Sequence, residues 1–281
     1  MNEPTTGTLT VPGATLYYER RGSGPLLLLI PGGAGDAGLY TAMARQLAAR
    51  YTVVSYDPRP LSRSTLDEPL ADQDVRVWSD DAARLIERLA PGGDVFVLGC
   101  SSGAITALAL LARHPERVRR VVTHEPPLLE LLEDSARHRA LFADVRDTFR
   151  AEGAGPAMAR FAEALGDRPA ERATELPPEI LEMAPRMHAN LPVFLEHILV
   201  PFSSSAPDLA ALRPVAGKLV PAAGRDSRHQ VPLYGPAARL ADLLGRPLVE
   251  FPGGHLGATE HPAAFAEQLV AVLEGVSPVA A

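Results

Sequence analysis

The feature that most constrains the fold is a run of five purely aliphatic residues, Leu26-Leu27-Leu28-Leu29-Ile30, closed by breakers on both sides. Gly22-Ser23-Gly24-Pro25 precedes it and Pro31-Gly32-Gly33 follows it. The run is too short for an ordinary helix and does not alternate, so it reads as a strand buried on both faces. Such a strand belongs to a parallel sheet held between two helical layers. The neighbouring sequence keeps the matching rhythm. Residues 8–20 alternate and turn at Pro12-Gly13. A helical pattern from Leu39 to Arg50, with Met43, Leu47 and Ala48 on one side, leads to a strand at Thr52–Tyr56. A helix over Val75–Leu89 carries Trp78, Leu85 and Leu89 at helical spacing. It is followed by a strand at Val95–Leu98, a helix at Ser102–Arg113 and a strand at Val118–Thr123. Strands and helices alternating in this way imply right-handed crossovers and a mostly parallel sheet.

The rhythm stops at residue 127 and returns near 213. The intervening stretch shows no strand and reads as helices over Leu128–Ala151, Pro156–Leu165 and Pro178–Leu199. A strand at Lys218–Ala223, a helix at Pro236–Leu244, a strand at Leu248–Phe251 and a helix at Ala263–Leu273 complete the pattern. A helical block inside an α/β rhythm is most simply an insertion, so residues 1–126 and 213–281 are expected to form the core and 127–212 a helical cap. A chain of 281 residues with 46% apolar content can bury one large core carrying an inserted piece. The formal charge of −7 repels phosphate backbones and anionic lipid, so no nucleic-acid or membrane partner is expected. The single cysteine, Cys100, excludes an intrachain disulfide and a Cys-rich zinc site. No apolar run approaches a membrane span, and Met1-Asn2-Glu3-Pro4 does not begin a signal peptide, so a cytoplasmic location is expected.

The chemistry-bearing residues lie at the carboxyl ends of these strands. Gly99-Cys100-Ser101-Ser102-Gly103 matches G-x-S-x-G between a strand and a helix. Its glycines supply the small neighbours that a tight strand-to-helix turn needs, with Ser101 held above the sheet edge where open parallel sheets bind ligands. The bland reading is a Gly-rich turn with a capping serine, and Ser102 is a competing hydroxyl. A serine hydroxyl is a weak nucleophile that needs a base, and the base needs an orienting acid. Asp226 follows the strand at Lys218–Ala223, and His255 follows Pro252-Gly253-Gly254 after the strand at Leu248–Phe251. The chain order is therefore Ser, Asp, His. Glu125, just past the strand ending at Thr123, is the rival acid. His114 and His261 each precede a proline and suit helix ends.

Through Pro31-Gly32-Gly33, the Ser101 pentapeptide, His114-Pro115-Glu116-Arg117-Val118, Asp226 and the Pro252–His255 turn, the chain resembles the α/β-hydrolase fold family, in particular its small serine esterase-like members with a helical cap. The resemblance covers nearly the whole chain. It implies an eight-stranded, mostly parallel α/β-hydrolase sheet with helices on both faces and an inserted cap. It also implies acyl transfer by Ser101, His255 and Asp226, an oxyanion hole from the backbone N–H groups of Gly33 and Ser102, and no metal or organic cofactor. Two positions depart from the family pattern. Pro31-Gly32 stands where His-Gly is common. Asp57-Pro58-Arg59-Pro60-Leu61-Ser62-Arg63-Ser64 stands where Asp-x-Arg-Gly-x-Gly-x-Ser is frequent. Pro60 fixes its own φ and is expected to reshape that loop. Arg59 and Arg63 read there as solvated.

The expected function is a serine hydrolase for a small-molecule carboxylic ester or lactone. The same triad also serves cofactor-free perhydrolase, haloperoxidase, lyase and C–C hydrolase chemistry. From a different class, Gly33-Ala34-Gly35-Asp36-Ala37-Gly38 matches G-x-G-x-x-G, with Asp57 at the distance of a ribose-binding acid, as an NAD(P)- or flavin-dependent oxidoreductase would require. That reading leaves Ser101, Asp226 and His255 without a joint explanation. A non-catalytic small-molecule binding protein is the third reading, separated by turnover of an activated ester. Leu39, Phe142, Met187, Phe194 and Leu256 are the candidate pocket residues. Phe149, Phe161, Met183 and Phe202 supply further apolar bulk from the insertion. Homo-oligomerisation is compatible with the sequence.

Overall fold

The computed structural model describes residues 3–166 and 178–275. Strands β1 (Thr5–Val11) and β2 (Ala14–Arg21) form an antiparallel hairpin turning at Gly13, whose φ of +76° suits glycine. Then come β3 (Leu26–Ile30), α1 (Thr41–Leu47), β4 (Thr52–Tyr56), a two-residue β5 (Thr65–Leu66), α2 (Val75–Leu89), β6 (Val95–Cys100), α3 (Ser102–Arg113) and β7 (Val118–His124). The helical insertion follows as α4 (Ser135–Glu152), α5 (Ala154–Leu165), α6 (Pro178–Val193), α7 (Leu199–Ser203) and α8 (Leu209–Leu212). The chain returns to the sheet with β8 (Leu219–Gly224), α9 (Val231–Leu244), β9 (Val249–Phe251), α10 (Gly257–Glu260) and α11 (Pro262–Glu274).

The sheet runs β1-β2-β4-β3-β6-β7-β8-β9, with β5 paired to β2. It has nine strands where eight are expected, the addition being the short β5. From β4 to β9 all pairings are parallel, and the hairpin joins antiparallel through β2. The chain leaves β3 toward β4 on one side and then crosses to β6 on the other. The carboxyl ends of β3 and β6 therefore flank a topological switch point, where parallel sheets open a crevice.

All five residues of β3 are buried because the strand feeds two cores. Leu28 and Ile30 join Trp78, Leu85, Ile105 and Leu108 on the side of α2, α3 and the insertion. Leu27 and Leu29 join Met43, Leu47, Phe251 and Phe265 on the side of α1 and α11. Each such side chain contributes about 1.5–3 kcal/mol relative to exposure. Among the described residues no helix is long and apolar enough to cross a membrane.

The insertion departs from expectation at two points. Its first long helix begins at Ser135, not Leu128, because the chain after Pro126-Pro127 forms a single 3-10 turn at Leu129–Leu131. The helix expected to run to Leu199 ends at Val193 and passes through one π-turn, Phe194–Ile198, before α7. Pro201 has no N–H to return to the His197 carbonyl. That carbonyl instead accepts the Gln73 N–H at 2.9 Å, which ties the insertion to the loop before α2.

Candidate active site

Ser101 sits between β6 and α3 at φ 55°, ψ −125°, a conformation that L-residues rarely adopt. Close packing enforces the turn. A Cβ on Gly99 would lie 2.2 Å from the Gly103 carbonyl oxygen, and one on Gly103 would lie 2.2 Å from that of Ile30. A Cβ on Gly32 would lie 2.6 Å from the Ser101 Cβ, so the loop after β3 passes directly against the nucleophile candidate. The Ser101 N–H donates to the His124 carbonyl at 2.9 Å, so Ser101 stands at the strand end beside Glu125.

His255 follows β9 and is carried to the same edge. Its turn packs on Gly224, where a Cβ would meet the backbone of Gly253 and Gly254 at 2.6 Å. The imidazole Nδ1 lies 2.7 Å from Glu125 Oε2. The other oxygen, Oε1, accepts the Gly224 N–H at 2.7 Å. Glu125 is fully buried, with φ of +50°. Burial alone pushes its pKa up. The hydrogen bond and charge of His255, with the Gly224 amide, outweigh burial and hold it at about 2.

The carboxylate that meets His255 is therefore Glu125 and not the expected Asp226. Asp226 is itself exposed, in the 3-10 turn Arg225–Ser227, and only its backbone reaches the His255 turn, donating to the Gly253 carbonyl at 3.1 Å. Both carboxylates follow the ends of neighbouring parallel strands. The chain turns Glu125 inward under His255 and leaves Asp226 in solvent.

The oxyanion candidates meet in an unexpected way. The Gly33 N–H donates to the Ser102 side-chain Oγ at 3.0 Å. Gly33 adopts φ +60°, and Ser102 opens α3, where the first backbone N–H groups have no partner within the helix. The loop bearing Gly33 is clamped by α6. Asn190 donates to the Ala34 carbonyl and to Ser62 Oγ and accepts the Ser62 N–H, while Arg186 pairs with Asp36. Ser101 Oγ itself has no hydrogen bond to His255 within 3.5 Å in this state.

The space over Ser101 is small, about 20 Å³, enough for roughly one water. Pro127, Phe161, Leu165, Phe194, Phe202 and Leu233 are among its walls. Of the five predicted pocket residues, Phe194 alone lines it. Phe142 stands a layer behind, edge-on to Phe161. Leu39 packs behind Gly35 against the second core, and Met187 packs against the first. Leu256 is 56% exposed on the turn after His255. Burial pushes the Cys100 thiol up to about 12 and the unpartnered His124 imidazole down to about 4, so both stay neutral beside the site.

The glycine-rich alternative loses its acid. Asp57 is fully buried, accepting the Ala37 N–H at 2.8 Å and pairing with Arg63, which leaves no carboxylate for a ribose. Arg59 and Arg63 are not solvated: Arg59 forms a buried pair with Asp81, and Arg63 joins Asp57 and Glu19. The Arg59–Pro60 peptide bond is cis. Among the described residues no group of three or more His, Cys, Asp or Glu is placed to hold a metal ion.

The profile of the alpha/beta hydrolase fold matches residues 25–166. The chain is 37% identical over 274 residues to an uncharacterized hydrolase, YraK, of Bacillus subtilis (strain 168), covering 95% of this chain and 96% of the other. It is 28% identical over 283 residues to a zearalenone hydrolase of Bionectria ochroleuca, covering 95% and 97%. A thermophilic esterase from Thermogutta terrifontis superposes with a TM-score of 0.73 at 19% identity, covering 99% of this chain and all of the other, a likeness of fold.

Proposed function

The chain belongs to the α/β-hydrolase family, and from that premise we propose that it is a serine hydrolase cleaving a carboxylic ester or lactone through an acyl-enzyme. The observation that carries the reading is the 2.7 Å contact of His255 Nδ1 with buried Glu125, at the strand end beside strained Ser101. Glu125 accepts the Nδ1 proton, which leaves Nε2 as the basic nitrogen. Ser101 Oγ attacks the carbonyl carbon and its proton passes to Nε2. The carbon–oxygen bond to the alcohol breaks as Nε2 returns that proton to the leaving oxygen. Water then repeats the sequence and releases the acid.

The developing alkoxide is received by the backbone N–H groups of Gly33 and Ser102, each worth about 2.7–4 kcal/mol. The Ser102 hydroxyl that holds the Gly33 N–H in the resting state yields that position to the substrate oxygen. The Ser101–His255 contact closes on substrate arrival, as catalytic hydrogen bonds commonly do. The inserted helices act as a cap whose aromatic side chains replace water around the reacting carbonyl. The relatives named as hydrolases and the esterase of like fold support hydrolysis.

A fluorophosphonate added to the intact protein tests the reading. The expected result is one adduct on the peptide holding Ser101, together with hydrolysis within a panel of esters and lactones. An unlabelled Ser101, or a panel without turnover, refutes it.

A further inference from the structure

A bound ester needs far more room than the space over Ser101 offers, since small-molecule sites typically run about 300–1,000 Å³. A groove of about 560 Å³ lies next to it. The groove runs along α3 over Ile105, Leu108 and Ala112 and is roofed by Pro201 and Leu212, with Leu128 at its inner end. Each inner residue is a chain neighbour, or one helical turn away, from a wall of the catalytic space: Leu128 from Pro127, Pro201 from Phe202, and Ile105 from Ser102. The two spaces thus adjoin through these chain neighbours: Phe202 lines the catalytic space, and Pro201 directly before it lines the groove.

We infer that this groove is the subsite for the acyl arm of the substrate and that Phe202 is its gate, so that the enzyme prefers esters with a long, neutral, apolar acyl chain. This rests on the serine-hydrolase reading above. The direction follows from the chemistry. The leaving alcohol must lie at His255 to receive its proton, and no residue of the His255 turn lines the groove, so the arm that reaches it is the acyl arm. The neutrality follows from the rim. Asp72 pairs with His197, Asp74 with Arg76, and Arg113 with Asp80, while Asp208 caps the Ala211 N–H. Neither rim arginine is left to receive an anionic tail, and the Asp208 carboxylate, which the Ala211 N–H does not neutralise, repels one. The gate can move because the segment behind it, the π-turn Phe194–Ile198 followed by Pro201, is not held by a continuous α-helical ladder.

The structure also supplies a reporter. Trp78, the only tryptophan of the chain, stacks edge-on against Phe202 at 4.7 Å between ring centroids. The experiment compares kcat/KM for p-nitrophenyl decanoate and p-nitrophenyl acetate. In Phe202→Ala, which removes the gating ring, the decanoate-to-acetate ratio rises about tenfold. In Ala112→Phe, which fills the groove from a partly exposed helix position and does not depend on Phe202→Ala folding, the ratio falls about tenfold. A decyl trifluoromethyl ketone changes the Trp78 emission of the unaltered enzyme, and the ethyl analogue does not. Turnover of acetate with the Ala112→Phe ratio within about twofold of the unaltered enzyme, or a Trp78 emission indifferent to the decyl ketone, overturns the subsite and leaves the hydrolase reading standing. Absence of all ester turnover, with Ser101 unmodified by fluorophosphonate, overturns both.

Discussion

Replacing Glu125 by glutamine preserves the side chain's shape and removes one acceptor. Both carboxylate oxygens are in use: Oε1 accepts the Gly224 N–H at 2.7 Å and Oε2 faces His255 Nδ1 at 2.7 Å. An amide offers one acceptor and one donor. If its NH₂ faces Gly224, two donors oppose each other in a fully buried place. If its NH₂ faces His255, Nδ1 becomes the acceptor and the proton moves to Nε2, which can then no longer take the Ser101 proton. The second arrangement satisfies every hydrogen bond and is therefore the one expected. The wrong tautomer in a serine triad lowers kcat by about 10⁴, equivalent to about 5 kcal/mol of barrier. Asp226→Asn, at an exposed carboxylate with no side-chain hydrogen bond among the described residues, changes kcat less than about twofold, within the roughly 0.5 kcal/mol typical of surface changes. Steady-state hydrolysis of p-nitrophenyl butyrate, run beside thermal melts of both variants, gives the comparison. A folded Glu125→Gln enzyme within tenfold of the unaltered one, or Asp226→Asn as the worse of the two, refutes the assignment of the acid.

Three further outcomes follow from the same geometry. Ser101→Ala and Ser101→Gly both lose at least about 10³ in turnover, and the glycine variant melts higher than the alanine variant because it relieves the φ of 55°; equal melting temperatures count against strain at the turn. Gly103→Ala, whose Cβ would sit 2.2 Å from the Ile30 carbonyl oxygen, fails to give soluble folded protein or loses several kcal/mol in urea unfolding, roughly the scale of core overpacking. The third concerns pH. Glu125, held at about 2, stays ionised through the working range, so log kcat/KM falls with unit slope toward acid and shows no second carboxylate inflection above about pH 3. Its lowered pKa adds stability that is present above the ordinary carboxylate range and is lost as pH falls toward 2, which acid titration of the fold would register.

Much of this was legible because it is local. The aliphatic run at Leu26–Ile30, the small residues around Ser101 and the Gly253-Gly254 turn before His255 each need only their own neighbours to be understood. The acid was not legible in that way. Glu125 and Asp226 occupy equivalent places after adjacent strands, and only the packing of the His255 turn on Gly224 decides which carboxylate meets the imidazole. The aromatic wall was half legible. The helical pattern marks Phe142, Phe161, Phe194 and Phe202 as buried. Whether a ring stands in the first layer or the second depends on how the π-turn rotates the end of the long helix, a consequence of Pro201 and its missing donor.

With Glu125, directly after β7, as the acid of the proposed mechanism, the connection after β8 has no chemical task. Arg225 and Asp226 are exposed, Arg228 pairs with Glu250 of β9, and the amide of residue 226 braces the neighbouring turn. The exposed side chains at 225 and 226 can be rewritten, or carry a tether for immobilisation, as long as Gly224, the amide of residue 226, buried Ser227 and the Arg228–Glu250 pair keep their posture. Ser101, Ser102, Glu125 and the Gly33 loop all precede residue 126 in the chain, so His255 is the one member of the proposed machinery delivered from the far side of the inserted helices.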